Sequence, residues 1–299
     1  MTVDTPYRFF SVRVGDLRRL SPSFLRVTFT GADLDTFADN GRDQRIKLVF
    51  PAQVGGYDDL PEGPDWYPRW RALPHQRRAP LRTYTVSAVR PARREVDVDL
   101  VLHGDGGPAS RWANRARLGE PLKLMGPDVR FPGDHGGITF RPPHHEALLL
   151  AGDETAVPAI ASILSGLSRT ARGEVILEVP HTDDALALDA PAGVRTTWLA
   201  RGGAAHGTML IPGVKAAAER LAPAPAPFGD HPIDDIDIDA GILWEVPDAP
   251  AATSGIYAWL AGEAGTIKLL RRYLVAERGI DRRAVAFMGY WRAGRAEQT

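Results

Sequence analysis

Arg82-Thr83-Tyr84-Thr85-Val86 places a cation, an aromatic ring and hydroxyls on successive positions of a β-like run. Period-two geometry puts Arg82 and Tyr84 on one face. A cation beside an aromatic plate suits a flat, phosphorylated cofactor. About twenty positions later HGDGGPASRWA supplies a glycine-rich turn that opens onto a predicted helix. Backbone N–H groups at such a start form an anion cradle. Both features have plainer readings: Tyr84 as a barrel-core aromatic, and Trp112 as helix packing rather than cofactor contact. Arg82 resists that treatment, because a buried arginine needs a partner.

The chain has 299 residues, 44% hydrophobic and 24% charged, enough for a substantial core and two domains. A net charge of −1 gives no general field for nucleic acid, and none is expected as a partner. Charge is clustered locally instead. Arg69, Arg71, Arg77, Arg78 and Arg82 crowd one segment, whereas residues 230–241 are acidic. The absence of cysteine excludes disulfides, thiolate chemistry and cysteine-bound iron–sulfur or zinc sites. Any electron handling then needs an organic cofactor. No HExxH or comparable ligand spacing occurs, so no protein-bound metal is expected. The N-terminus lacks an apolar signal core and no run is long enough to span a bilayer, which makes the cytoplasm the expected location.

Residues 1–143 read as short alternating strands: FFSVRV, FLRVTFT, RIKLVF, RTYTV, VDVDLVL and PLKLM, bounded by Gly, Pro and Asp. That spacing predicts an antiparallel six-stranded barrel. In the fifth strand Val96, Val98 and Leu100 face one way and Asp97 and Asp99 the other. A helix is predicted to begin near Pro108 and to run from Ala109 to Arg117 before Gly119. Segment 127–145 is rich in Pro and Gly and marks the domain boundary. Residues 144–299 change rhythm. EALLLAG, EVILEVP, VRTTWLA, YAWLAG and AVAFMGYW are largely apolar strands alternating with helical segments, which predicts an α/β domain with a parallel sheet. The stiff, acidic run at 222–241 reads as a surface insertion.

Ligands of open parallel sheets gather at the carboxyl ends of the strands. Two such ends carry suitable residues. LLLAGDETAVPAI places Gly152, Asp153, Glu154 and Thr155 between strand and helix, where Asp153 or Thr155 either caps the helix or bonds a ligand phosphate or carboxamide. YAWLAGEAG places Gly262 and Glu263 in an equivalent turn. Neither is a GxGxxG fingerprint.

Taken in order, RTYTV, VLHGDGGPASRWA, AGDETAVPAI, YAWLAGEAG and GYWRAG resemble the siderophore-interacting proteins, a branch of the ferredoxin reductase-like flavoproteins, over nearly the whole chain. The resemblance implies an FAD-binding barrel, an NAD(P)H-binding second domain and reduction of Fe(III) in a siderophore. It implies that Arg82 pairs with the FAD pyrophosphate, Tyr84 lies against the isoalloxazine and Thr85 bonds near its reactive nitrogen, with Thr83 beside them. Asp105, Gly106, Gly107, Pro108, Ala109 and Ser110 would wrap the pyrophosphate, and His103 would bond the flavin or ribityl chain or merely end its strand. NADH or NADPH would meet Gly152, Asp153, Glu154, Thr155, Gly262 and Glu263. The protein supplies no acid or base of its own, because a flavin reconciles a two-electron hydride donor with a one-electron metal acceptor.

Ferric siderophores are often anionic, so a basic pocket is expected at the flavin's open edge. Lys47, Arg130 and Arg292 are its candidates. Lys47 alternates with Ile46 and Leu48, which also suits an exposed strand lysine. Relatives often carry an arginine directly after Gly-Pro, whereas here Asp128 and Val129 intervene before Arg130. Trp291 fits either packing near the flavin or a core role. Lys268, Arg271 and Arg272 fit either a 2′-phosphate contact or solvent-exposed helix charge. The expected protein is a monomer. Two other readings remain: a flavin reductase serving a ferredoxin or oxygenase component, and a non-catalytic ferric-siderophore-binding flavoprotein. Reduced ferredoxin is an alternative donor.

Overall fold

A computed structural model describes residues 3–102, 107–222, 243–247 and 255–294. The chain divides into two compact units, residues 1–138 and 139–298.

The first unit is a closed barrel of six antiparallel strands: β1 (Tyr7–Arg19), β2 (Phe24–Thr30), β3 (Arg45–Val49), β4 (Leu81–Arg90), β5 (Glu95–Val101) and β6 (Pro121–Pro127). Their order around the barrel is β1-β2-β5-β4-β3-β6. Alternation directs Phe10, Val12 and Val14 of β1, Val27 and Phe29 of β2, and Val96, Val98 and Leu100 of β5 into one core. Asp97 and Asp99 face outward as the alternation predicts, yet they are only 5% and 6% exposed. Arg26, opposite Asp99 across the ladder, grips it with two bonds of 2.7 and 2.8 Å. Asp97 accepts from Thr28 and from both terminal nitrogens of Arg90. Burial pushes Asp97 up, and the hydrogen bonds from Arg90 and Thr28 more than offset this, leaving it below the usual carboxylate range.

Among the described residues this unit also has the α-helices α1 (Trp66–Ala72) and α2 (Pro108–Ala113). The second is shorter than the predicted run to Arg117. Ala109, Trp112 and Ala113 join the barrel core, with Trp112 stacked on Phe29 at 6.2 Å. Trp112 is therefore a packing residue. The chain leaves the helix where Glu120 takes the Trp112 indole N–H on one oxygen and the Arg117 amide on the other, a capture from beyond the helix that helix propensity does not register. Gly119 then adopts φ +80° and donates its N–H to Val14, which returns the chain to the barrel.

The second unit is a six-stranded sheet ordered β10-β12-β11-β7-β8-β9. Its strands are β7 (Ala147–Gly152), β8 (Arg172–Val179), β9 (Gly193–Ala200), β10 (Trp244–Glu245), β11 (Ile256–Glu263) and β12 (Val285–Trp291). All neighbours are parallel except the β10–β12 pair. The helices are α3 (Val157–Ser165), α4 (Leu210–Leu221) and α5 (Ala264–Arg272). The antiparallel edge strand β10 adds to the expected parallel sheet, so the sheet is mixed and mostly parallel. It is too short to show periodicity, and a buried ion pair fixes it: Arg271, 4% exposed, donates to Glu245 at 2.5 Å. Arg271 is thus neither a solvated helix charge nor a free cation. The expected insertion at 222–241 lies outside the described residues from position 223 onward.

Chain order around the sheet reverses beside its first strand. β8 and β9 extend to one side of β7, and β11 and β12 to the other. The carboxyl ends of β7 and β11 flank this switch point, where open parallel sheets form a crevice.

Candidate functional sites

In the barrel unit, β3 and β4 pair with Ile46 opposite Tyr84, Leu48 opposite Arg82 and Lys47 opposite Thr83. Arg82 and Tyr84 therefore share a face, as their spacing requires. Tyr84 is half-buried against the barrel core, which leaves part of its ring accessible. Arg82 donates to its neighbour's carbonyl, Leu81 O, at 2.7 Å. Thr85 is buried opposite Arg45, and Lys47 on the same face of β3 donates through Nζ to the Thr83 hydroxyl. Arg45 was not singled out in the sequence, although RIKLV alternation already places it beside Lys47.

β4 and β5 are antiparallel with Val86 opposite Val98, so β5 exits toward α2 at the end where β4 begins. Gly107 is an extended N-cap without a side-chain cap, Pro108 occupies the first turn, and a Cβ built on Gly107 would meet no atom within 4 Å. Ala109 is buried and Ser110 half-buried in the first turn. His103, Asp105 and Gly106 lie outside the described residues. A cation and an aromatic ring on one face of β4 and a helix N-cap without a side-chain cap form a set that fits a flavin with its pyrophosphate, whereas Thr83 and Thr85 lie on the opposite face of the strand.

Arg130 is already engaged. Its Nε and Nη2 grip Asp128 at 2.9 and 2.6 Å, and Asp128 also accepts from Arg8 at 2.6 Å. Burial works against the charge of Asp128, but bonds from Arg130 and Arg8 prevail and hold it at about 2. The intervening Asp128 thus neutralises the displaced arginine while leaving its side chain 39% exposed. Lys47 and Arg130 belong to the barrel unit. Arg292 is half-buried just beyond β12 in the other unit.

In the second unit, Gly152, Asp153, Glu154 and Thr155 leave β7 at the switch point, and Gly262 and Glu263 end β11 beside them. Asp153 is 2% exposed and ties these turns together. One oxygen accepts from the Thr155 amide and hydroxyl, the other from the Glu263 amide at 2.7 Å and the Trp291 indole at 2.9 Å. Gly262 makes room for this knot: its φ is +149°, and a Cβ there would stand 2.7 Å from Asp153 Oδ2. Glu263 caps α5 through the Thr266 amide at 2.8 Å. Capping is therefore what the side chains of Asp153 and Glu263 do here, and Trp291 serves the same knot.

Glu154 is fully buried and forms a two-pronged pair with Arg201, both bonds 2.6 Å. Glu178 at the end of β8 accepts from the amides of Gly207, Met209 and Leu210 ahead of and within α4. His206 lies edge-on to Trp291, with ring centroids 4.6 Å apart, and burial pushes it below its ordinary range. Sequence reasoning missed Arg201, Glu178 and His206. The turn Arg201-Gly-Gly-Ala-Ala-His206-Gly after an apolar strand was the available signal.

Burial and the neighbouring Glu154 push Asp153 up to about 7, against the pull of Thr155 and Trp291. Between its ordinary range and about 7 the folded chain holds a proton that the unfolded chain releases, so this group favours folding at low pH and loses that contribution as pH rises through about 7. Relative to Asp153→Asn, the native protein should be more stable at pH 5 than at pH 7.5, as read by urea unfolding of both proteins. A stability difference independent of pH would contradict this.

Among the described residues, no helix is long and apolar enough to cross a membrane and no cluster of three or more metal-ligating side chains occurs. Residues 13–131 match the family model for a siderophore-interacting FAD-binding domain, and residues 145–294 the model for siderophore-interacting protein. An uncharacterised protein of Mycobacterium tuberculosis is 37% identical over 94% of this chain and 89% of its own length. Ferric vibriobactin reductase ViuB of Vibrio cholerae is 30% identical over 93% of this chain and 88% of its own. The NADPH-dependent ferric-chelate reductase of Escherichia coli is 27% identical, covering 96% and 94%. Among solved structures, a siderophore utilization protein from T. fusca superposes with a TM-score of 0.73 at 29% identity, covering 100% of this chain and 98% of that one. The ferredoxin reductase of carbazole 1,9a-dioxygenase shares the fold, with a TM-score of 0.60 at 14% identity over 97% of this chain and 71% of that one.

Proposed function

This chain belongs to the siderophore-interacting protein family, and from that premise we propose that it is an FAD-dependent oxidoreductase that passes electrons from NADH or NADPH to a ferric siderophore and releases Fe(II) in the cytoplasm. The observation that carries the reading is the shared face of Arg82 and Tyr84 on β4, together with the Gly107 N-cap of α2 that has no side-chain cap. The reductases named among its relatives support the same chemistry.

When bound, FAD would supply the link between a donor of one two-electron hydride and Fe(III), which takes one electron at a time. The chain's own residues bind and orient. Arg82 offers a planar fork to the pyrophosphate. Gly107, Pro108, Ala109 and Ser110 supply the anion cradle, with amides from the non-proline residues and a hydroxyl from Ser110. Tyr84 presents its ring to the isoalloxazine, with the backbone of Thr83 and Thr85 beside it. The second unit receives the nicotinamide nucleotide at the turns of Gly152–Thr155 and Gly262–Glu263. In the barrel unit Lys47 and Arg130 contribute positive charge toward an anionic chelate, with Arg130 weakened by its pairing to Asp128; Arg292, in the second unit, is a further candidate cation. Hard-oxygen chelators hold Fe(II) less well than Fe(III), so reduction releases the metal.

The test is turnover of the FAD-loaded protein with a reduced nicotinamide and a ferric siderophore, with an Fe(II)-specific dye as the trap. Dye-bound Fe(II) should form in proportion to nucleotide oxidised. Nucleotide oxidation without Fe(II) would assign the chain to another acceptor.

A further inference from the structure

The outer wall of the barrel unit holds a cavity apart from the flavin face. It has a volume of about 620 Å³, opens to solvent, and is bounded by β1, β6, the residues that follow β2 and the turn that joins β4 to β5. Tyr57 also lines it, with its hydroxyl fixed on the Val49 carbonyl at 2.9 Å. None of the described lining residues lies on β3, β4 or α2, so this is not the face of Arg82 and Tyr84. Sites that hold a small organic molecule span about 300–1,000 Å³, which this volume matches.

Strand alternation and register set its charge. Ser11 and Arg13 take the outward face of β1, on either side of the core residue Val12. Lys123 of β6 pairs with Ser11 and Thr30 of β2 with Arg13, so these four side chains share the outer face. Gly31 then passes close to β1, where a Cβ would stand 2.8 Å from the Ser11 carbonyl. Its N–H donates to the Arg94 carbonyl at 3.3 Å, which holds the Arg93-Arg94 turn at the edge of the same cavity.

Four cations, Arg13, Arg93, Arg94 and Lys123, therefore line one cavity, with Ser11 and Thr30 between them and no Asp or Glu among the described lining residues. Their contacts within the protein are loose. Arg94 stands 3.8 Å from Asp35, and Lys123 3.7 Å from Glu62, whose side chain is 72% exposed. Arg93 shares Glu95 with Arg90. Arg13 donates to the Gly119 carbonyl at 3.0 Å, an exposed contact that uses a single N–H of its guanidinium. Exposed pairs of this kind contribute little, so an incoming anion recruits these cations without breaking a buried pair. Guanidinium forks match the paired oxygens of carboxylate and phosphate. Like charges converging in one concavity raise the local concentration of anions, most strongly those of multiple charge.

We propose that this cavity binds a small organic polyanion, a polycarboxylate or a phosphate ester, at a site separate from the flavin face. Arg13 and Lys123 hold its charged groups from the barrel wall, and Arg93 and Arg94 hold them from the turn between β4 and β5. The site stands independently of the reductase reading.

The test uses the full-length, FAD-loaded protein, so that the flavin's own pyrophosphate does not compete for the probes. Calorimetric titration with citrate and, separately, with fructose 1,6-bisphosphate should show binding at one site with Kd below about 1 mM, weakening as salt rises. Tighter binding of citrate assigns a polycarboxylate, and tighter binding of the bisphosphate assigns a phosphate ester. Arg13→Gln/Lys123→Gln should weaken the better probe at least about tenfold, and Arg93→Gln, on a separate element, should weaken it in the same direction. Lys47→Gln should change it little, because Lys47 is not part of the lining. None of these substitutions touches the barrel core, so the variants should keep the native melting temperature and FAD content. Arg13→Gln/Lys123→Gln should also leave Fe(II) release unchanged, which separates this site from the reductase reading. Binding of neither probe below about 1 mM, or native affinity in both the double variant and Arg93→Gln, would overturn the proposal. An equal loss in Lys47→Gln would overturn it as well, by moving the anion to the β3 face.

Discussion

Arg201→Ala should destabilise the second unit by about 3–5 kcal/mol, because it strands a carboxylate rather than removing a surface contact. Glu154 has no exposed side-chain surface, and its two oxygens take both terminal nitrogens of Arg201 at 2.6 Å. With the guanidinium gone, the charge stays buried beside Asp153, itself only 2% exposed. Either Glu154 takes up a proton or the turn after β7 opens to water, and both cost free energy. The double variant Glu154→Gln/Arg201→Met removes both charges of the pair, with Glu178 still held by its three amides, and should recover much of the loss. Chemical denaturation of the three proteins measures this. A cost below about 1 kcal/mol for Arg201→Ala would mean that the pair behaves like an exposed one.

Arg82→Ala should weaken FAD binding by about a hundredfold or more. Charge-assisted hydrogen bonds contribute roughly 1.5–3 kcal/mol each, and a guanidinium fork can make two to a pyrophosphate. Arg82→Lys keeps the charge without the fork and should fall between the two. In the protein, Arg82 Nη1 donates to the adjacent Leu81 carbonyl at 2.7 Å, and Arg82 is not among the residues of the barrel core, so its loss should spare that core. Fluorescence titration of apoprotein with FAD reads the affinity, and a thermal melt without FAD reads the fold. Native affinity in Arg82→Ala would remove Arg82 from the flavin site.

Strand alternation made the barrel legible, since Val96, Val98 and Leu100 can satisfy only one face at a time. The parallel strands were equally legible from their apolar runs. Features decided by distant partners were not. Glu120 holds Trp112 of α2 from seven residues beyond the helix, and Glu245 captures Arg271 across 26 positions. β10 is two residues long, too short for any period to show. The same reason explains the switch-point turns. GDET and GEAG were recognisable as strand-to-helix turns, but Trp291 reaches Asp153 across 138 positions and Arg201 reaches Glu154 across 47. Local reading finds the turn; only the fold shows that its acids are occupied with holding the turns together.

The most direct test of the reductase account is stopped-flow reoxidation of the anaerobically reduced flavoprotein. Ferric siderophore should restore the oxidised flavin spectrum much faster than buffer alone, with two equivalents of Fe(II) trapped per flavin. A reoxidation rate unchanged by any ferric chelate would contradict the account.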